Sequence, residues 1–218
     1  MYINLFINLI KSKQTSKVTT QMEEIATRFE MLKKHHTKTL RDAIANGLVD
    51  LPVVPFLLEV TKCNDIYSSS SCSGRLLLLS TDKQENKKQS DFFARYHRTV
   101  LFEEIKRDID AFQQGYLWLK VEPFIFHFAA RDYGLAKSIL DFCRANGLKR
   151  AGLISCKEGR FVCEVTNTSY LSLPVKVDTK QLISDEYLKH IVDVSNQKLE
   201  ANFKKLEVFE KRFLETFL

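Results

Sequence analysis

The stretch Ser70-Ser71-Cys72-Ser73-Gly74-Arg75 gathers hydroxyls, a thiol and a guanidinium among small residues. Small residues let a ligand approach the backbone, and hydroxyls and amide N–H groups can converge on an anion. Arg75 adds a planar fork suited to carboxylate or phosphate. The competing reading is a polar turn with a surface arginine. Cys72 would act as a nucleophile only beside a base that makes thiolate. His97 and His127 are candidates for that base, but nothing in the sequence pairs either with Cys72. A small buried thiol is the simpler reading.

A second group is Glu122-Pro123-Phe124-Ile125-Phe126-His127. In an extended strand residues 125 and 127 share one face, and 124 and 126 the other. A glutamate and a histidine set among phenylalanines serve either acid–base work and ligand binding or a hydrogen-bonded core pair. Arg131, four residues beyond His127, adds to the polar cluster. His97 and Arg98 end a predicted strand just before a helix, where α/β-type proteins often place chemistry. His35, His36 and His190 fall on helical patterns and read as surface residues.

The elements that must position these groups can be read from periodicity. Ile25, Phe29, Leu32, Leu40 and Ile44 predict a helix over 22–46, with Gly47 as its stop. Residues 67–75 read as a polar loop feeding a strand at Leu76–Leu79. The run 81–90 reads as a charged loop, and 91–97 as a strand. Thr99 is positioned to cap a helix ending near Gln114. Strands follow over 117–121 and 124–130, then a helix capped by Asp132 and stopped by Gly147. Residues 150–156 and 160–166 form a predicted hairpin about Glu158-Gly159. The tail from Asp185 to Leu218 is a long amphipathic helix whose stripe packs on the sheet or on a second chain. The class is α+β: a mixed sheet flanked by helices, non-Rossmann, with a long C-terminal amphipathic helix. Residues 1–21 read as an N-terminal extension and 22–218 as a single domain.

The chain of 218 residues is long enough for a real core, and 44% hydrophobic with 28% charged residues is ordinary for a folded domain. A net charge of +6 permits a nucleic-acid partner without demanding one. Basic pairs recur at Lys33-Lys34, Lys87-Lys88, Lys149-Arg150 and Lys204-Lys205, each of which also reads as solvated surface. The five cysteines include no C-x-x-C spacing, which predicts reduced thiols in a cytosolic or nuclear compartment, with cytoplasmic as the expected setting, and no metal site. No apolar run is long enough to span a membrane. G-x-G-x-x-G, P-loop, H-E-x-x-H and G-x-S-x-G motifs do not occur, so general motifs alone lead no further than an α+β protein that binds a ligand.

Taken in order, the segments resemble the wybutosine-synthesis protein 3 family. The serine-rich SCSGR stretch ending at Arg75, the segment ending in His97 and the E-P-F-x-x-H segment 122–127 are similar to its motifs. The block 132–152, Pro174 and the start of the tail helix continue the likeness, which covers roughly Glu23 to Leu214. Phe92-Phe93 stand where the family often carries a tryptophan.

The resemblance implies S-adenosylmethionine-dependent methylation of N-4 in the tricyclic wyosine precursor of phenylalanine tRNA. On that basis His127, Glu122 and His97 are expected to act on the base. Residues Ser70, Ser71, Cys72, Ser73, Gly74 and Arg75 are expected to hold the cofactor's amino-acid end or an RNA phosphate. Phe92, Phe93 and Arg131 are expected to bind the substrate, with the basic clusters on the RNA backbone. Two other classes use the same residues: a non-catalytic RNA-binding or assembly module, and a thiol-dependent hydrolase built on Cys72. The division of roles between the two histidines and the oligomeric state stay open.

Overall fold

A computed structural model of the chain describes residues 2–82 and 90–218, with side chains described from Glu23 onward. Lys87 and Lys88, most of the predicted 81–90 loop and the side chains of residues 1–22 lie outside that description. Helix α1 runs Tyr2–Ala45 and passes through the boundary expected near residue 21 without a break.

The expected α+β class holds, with its long tail helix, but the strands divide into two sheets and every ladder is antiparallel. The first sheet has the order β1-β5-β7-β6, built from Ile66–Cys72, Ile125–Ala130, Arg160–Thr166 and Gly152–Lys157. The second has the order β3-β2-β4-β8-β9, built from Asp91–Tyr96, Arg75–Thr81, Tyr116–Glu122, Leu171–Val177 and Lys180–Gln181. The short helix α2 spans Val54–Val60, α3 Phe102–Ala111, α4 Tyr133–Ala145 and α5 Asp185–Phe217.

Alternation decides which face each strand buries. Phe126 and Phe128 point inward from β5 and meet Phe56 of α2 with Phe209 and Phe213 of α5. Leu76, Leu78, Leu117 and Leu119 point inward from the second sheet onto α3 and the first half of α5. One helix therefore closes both cores, and this is why its apolar stripe runs nearly its full length. Across the outer face of the first sheet lies α1, with Phe29 on Tyr67, Ala129 and Val162.

Three crossings join the sheets: one runs from β7 at Thr166 to β8 at Leu171, and the other two are neighbours. The chain leaves β1 at Cys72 and enters β2 at Arg75; it leaves β4 at Glu122 and enters β5 at Ile125. Cys72 pairs with Ile125 and Arg75 with Glu122, so these two crossings run side by side. Backbone groups between ladders need other partners. Asn202 of α5, fully buried, provides them: its Oδ1 accepts the Phe124 N–H at 2.8 Å, and its Nδ2 donates to the Ser73 carbonyl at 2.8 Å. Asn167 donates to the same Oδ1 at 2.9 Å. Gly74 sits at φ +98°, and a Cβ there would collide with the Asn202 amide.

Two local expectations are corrected. The stretch 67–75 is not a loop: Ile66–Cys72 is strand β1, laddered to β5, and only Ser73 and Gly74 turn. Small hydroxyl side chains do not prevent pairing when a strand's partner supplies the apolar face. Helix α3 begins at Phe102 rather than after Thr99. Asn196 holds both backbone groups of Val100, at 3.0 and 2.8 Å, and keeps that segment extended. The Glu104 carboxylate then accepts the Leu101 N–H at 2.8 Å, which starts the helix later.

Candidate active site

His127 projects from the outer face of β5, between Ser70 of β1 and Glu164 of β7, its register partners on either side. The Ser70 hydroxyl lies 2.6 Å from His127 Nδ1, and Glu164 Oε2 lies 2.9 Å from Nε2. The two contacts use different ring nitrogens. With Glu164 accepting the Nε2–H, Nδ1 is left to accept the hydroxyl proton of Ser70. Ser70 is exposed, so this relay opens to solvent at its hydroxyl end. Glu164 is absent from the sequence expectations. Its signal is a lone carboxylate inside the apolar strand Arg160–Thr166.

Two residues along β1, Cys72 faces a second cluster. His97 Nδ1 lies 3.1 Å from Asp50 Oδ2 and 3.9 Å from Cys72 Sγ. Asp50 also accepts from the Ser73 N–H at 2.7 Å and the Ser73 hydroxyl at 3.0 Å. Cys72 and Asp50 thus compete for one ring nitrogen, so no thiol–imidazole–carboxylate relay is built here. Cys72 therefore has the histidine within reach that a thiol-dependent hydrolase would need, but not the relay of a triad. The three donor atoms lie within 4.8 Å of one another, a grouping with metal-ligand chemistry, although Asp50 Oδ2 already takes three hydrogen donors.

The hydrogen bond to Asp50, then that to Cys72, raises the His97 pKa from 6.5 to about 9. Burial alone would raise that of Asp50, but the bonds from His97 and Ser73 outweigh it and hold it at about 2. His97 is therefore an imidazolium at neutral pH. Its raised value means that the pair's contribution to stability is complete below about 6.5 and is lost as pH climbs through about 9. On the acid side it is lost as pH falls from 3.8 through about 2. An NMR titration of the His97 ring is expected to give a midpoint near 9, moving back toward 6.5 in Asp50→Asn. A wild-type midpoint at 6.5 would contradict the pairing.

Arg75 and Glu122 form a third cluster on the outer face of the second sheet. The Arg75 Nε and Nη2 lie 2.9 and 2.8 Å from Glu122 Oε2, and the guanidinium sits 4.7 Å from the centre of the Phe92 ring. Glu122 and His127 were expected to work together, but they stand on different sheets with different partners. Within residues 70–75, β1 ladders with β5 along one edge only, and Ser73 is committed to Asp50. Ser71 pairs with Phe126, and Gly74 is buried against Asn202. Phe93 turns its ring onto Phe112, just past the end of α3, while Phe92 stays on the outer face.

Arg131 lies at the far end of β5, roughly 20 Å along the strand from Ile125. There it is held by Asp65 at 2.6 Å, by Glu30 and by the Phe29 ring, tying α1 to the sheet. Lys33 likewise donates to the Thr61 and Cys63 carbonyls. Neither residue faces the clusters above.

His97 and Arg98 border two openings. One is a cleft of about 800 Å³ between residues 47–52 and 95–98. The other is a groove of about 560 Å³ against α5, with Pro52, Phe203 and Leu206 as apolar walls. Glu210 lies in this groove with Oε1 buried and without a hydrogen-bond partner. Burial, then the neighbouring Glu207, pushes its pKa up to about 7. An orphaned carboxylate oxygen in an apolar groove fits a ligand hydroxyl.

Residues 26–215 match the family described as Methyltransferase TYW3. The chain belongs to this family. A Pyrococcus furiosus relative, a tRNA(Phe) 7-((3-amino-3-carboxypropyl)-4-demethylwyosine(37)-N(4))-methyltransferase, is 30% identical over 183 residues, covering 84% of this chain and 88% of its own length. A Pyrococcus horikoshii relative of the same description is 32% identical over 175 residues, covering 80% and 84%. In structure, the PH1069 protein from Pyrococcus horikoshii has the same fold, with a TM-score of 0.81 at 24% identity over 86% of this chain and 97% of its own. This TYW3 chain is thus a methyltransferase, and its reaction takes a methyl donor. Asp50 and Glu210, like Glu164, lie outside the motifs that carried the family resemblance. Asp50 was hidden because its partners, Ser73 and His97, lie 23 and 47 positions away.

Proposed function

We propose that the chain transfers a methyl group from S-adenosylmethionine to N-4 of the 7-(3-amino-3-carboxypropyl)-4-demethylwyosine at position 37 of tRNA(Phe). The observation that carries this reading is near full-length likeness to relatives of that activity, with 84% of this chain and 88% of the first relative aligned. S-adenosylmethionine supplies an electrophilic methyl carbon on a positively charged sulfur. The groove beside His97 has parts that fit it. Pro52, Phe203 and Leu206 offer an apolar slot for a purine. The orphaned Glu210 Oε1 would accept from a ribose hydroxyl. The His97 imidazolium would pair with the carboxylate of the amino-acid end.

The chain's own task is to align the ring nitrogen and take its proton. Ser70 would accept the proton from N-4 as its own hydroxyl proton passes to His127 Nδ1, and Glu164 would hold the resulting imidazolium at Nε2. Charge is dispersed during methyl transfer, so alignment and exclusion of water matter more than an oxyanion hole. Support for these roles comes from Ser70, His127 and Glu164 each standing on a laddered strand rather than on a loop.

The test is calorimetric titration of S-adenosylmethionine into the chain, with and without tRNA(Phe) bearing the demethylated tricycle, followed by analysis of the RNA from the same tube. Saturable binding with methylated product is expected. Absence of donor binding in both conditions would leave an RNA-binding module without catalysis.

A further inference from the structure

We propose that the outer face of the second sheet is the platform on which the single-stranded anticodon loop stacks, with Trp118 and Lys120 as its principal contacts. This rests on the tRNA reading above.

The register places two rows of side chains across four strands of that face. Arg95, Leu77, Lys120 and Ser172 form one row, running from β3 through β2 and β4 to β8. Phe92, Leu79, Trp118 and Pro174 form the next. Helices α3 and α5 pack on the opposite face, against Leu76, Leu78, Leu117 and Leu119. A basic row beside an aromatic row is the pairing that single-stranded RNA needs: cations follow the phosphates, and rings stack on unpaired bases. An open sheet is well suited to it, because alternate residues hold these groups at fixed spacing.

Three observations favour RNA over a protein partner. Leu77 has no exposed surface, so the row of Arg95 and Lys120 presents charge rather than apolar area to a partner. Among the described residues, neither Arg95 nor Lys120 has a carboxylate partner, whereas Glu122 is neutralised by Arg75. Phe92 is 40% exposed and held by two guanidinium groups, Arg75 at 4.7 Å and Arg95 at 5.0 Å, which fixes an aromatic ring among cations on this face. The face is also continuous with the site, since Arg95 belongs both to its basic row and to the wall of the cleft beside His97. A loop lying on the platform would have its end nucleotide at the mouth of that cleft.

The experiment is fluorescence anisotropy of a labelled tRNA(Phe) anticodon stem-loop against the full chain at several salt concentrations. Lys120→Glu is expected to weaken binding by at least about ten-fold, and to flatten the salt dependence by about 0.7 in logarithmic slope for each phosphate no longer neutralised. Trp118→Ala is expected to weaken binding about ten-fold, and Trp118→Phe to restore most of it. Lys189→Glu, exposed on α5, should bind as wild type. All four should bind S-adenosylmethionine with unchanged affinity. If wild type binds the stem-loop and Lys120→Glu and Trp118→Ala bind it equally well, the platform is wrong and the methyltransferase reading stands. If Lys120→Glu instead converts a dimer to a monomer in sedimentation with RNA binding intact, the face belongs to a second copy. If wild type itself binds no tRNA, both readings fall.

Discussion

Replacing His127 with alanine is expected to lower the rate of methyl transfer by about 100- to 10,000-fold, the range over which a positioned proton acceptor contributes. The side chain stands on the outer face of β5, away from the phenylalanine core, so fold and RNA affinity should be kept. Its neighbours grade the effect. Glu164→Gln keeps the shape and an acceptor oxygen but loses the charge that holds an imidazolium, and a loss of about 10- to 100-fold is expected, as for other outer partners of a histidine. Ser70→Ala removes the group between His127 and solvent. Steady-state kinetics on tRNA(Phe) with the precursor base, together with circular dichroism of each variant, checks the series. A folded His127→Ala chain with wild-type turnover would show that this relay takes no part in the reaction.

The largest stability effect is expected at a residue that touches no substrate. Asn202→Leu should cost roughly 3 to 5 kcal/mol, because it strands buried polar groups without returning them to water. The Phe124 N–H, the Ser73 carbonyl and the Asn167 amide all lose their partner at once. Leucine is close in volume, so packing does not explain the loss; missing hydrogen bonds do. Since those bonds hold the three crossings together, Arg75 and Glu122 on one side and Cys72 on the other should lose their relative placement before the cores melt. Urea unfolding followed by tryptophan fluorescence reports the change at Trp118, the chain's single tryptophan. A loss under about 1 kcal/mol would mean that water replaces the asparagine.

Much of the frame was legible because it follows from periodicity. Asp132 caps α4 as expected, its carboxylate accepting the Leu135 N–H at 2.8 Å. The hairpin about Glu158-Gly159 and the stripe along α5 also follow. What misled was composition read as conformation. Serines and a glycine before Arg75 suggested an anion-binding loop, yet the serines up to Cys72 belong to a strand that pairs with β5. Strand pairing depends on the partner, here the apolar β5, and a partner is invisible to a local window. The same limit separated Glu122 from His127. They are five positions apart, but the chain changes sheets between them. Conversely, the residues that complete the histidine clusters, Asp50 and Glu164, come from distant segments, and the fold brings them in. His97 and His127 were found as types; their distinct characters, an imidazolium locked to Asp50 and a relay between Ser70 and Glu164, required the fold.

The proposed reaction moves a methyl group onto a base of phenylalanine tRNA. The most direct measurement is the calorimetric titration with product analysis, run with tRNA(Phe) that carries the demethylated tricycle. The expected result is saturable donor binding, with one new methyl group on N-4 of the tricycle and none on tRNA lacking it. Saturable tRNA binding with neither donor binding nor a methylated base would contradict methyl transfer by this chain.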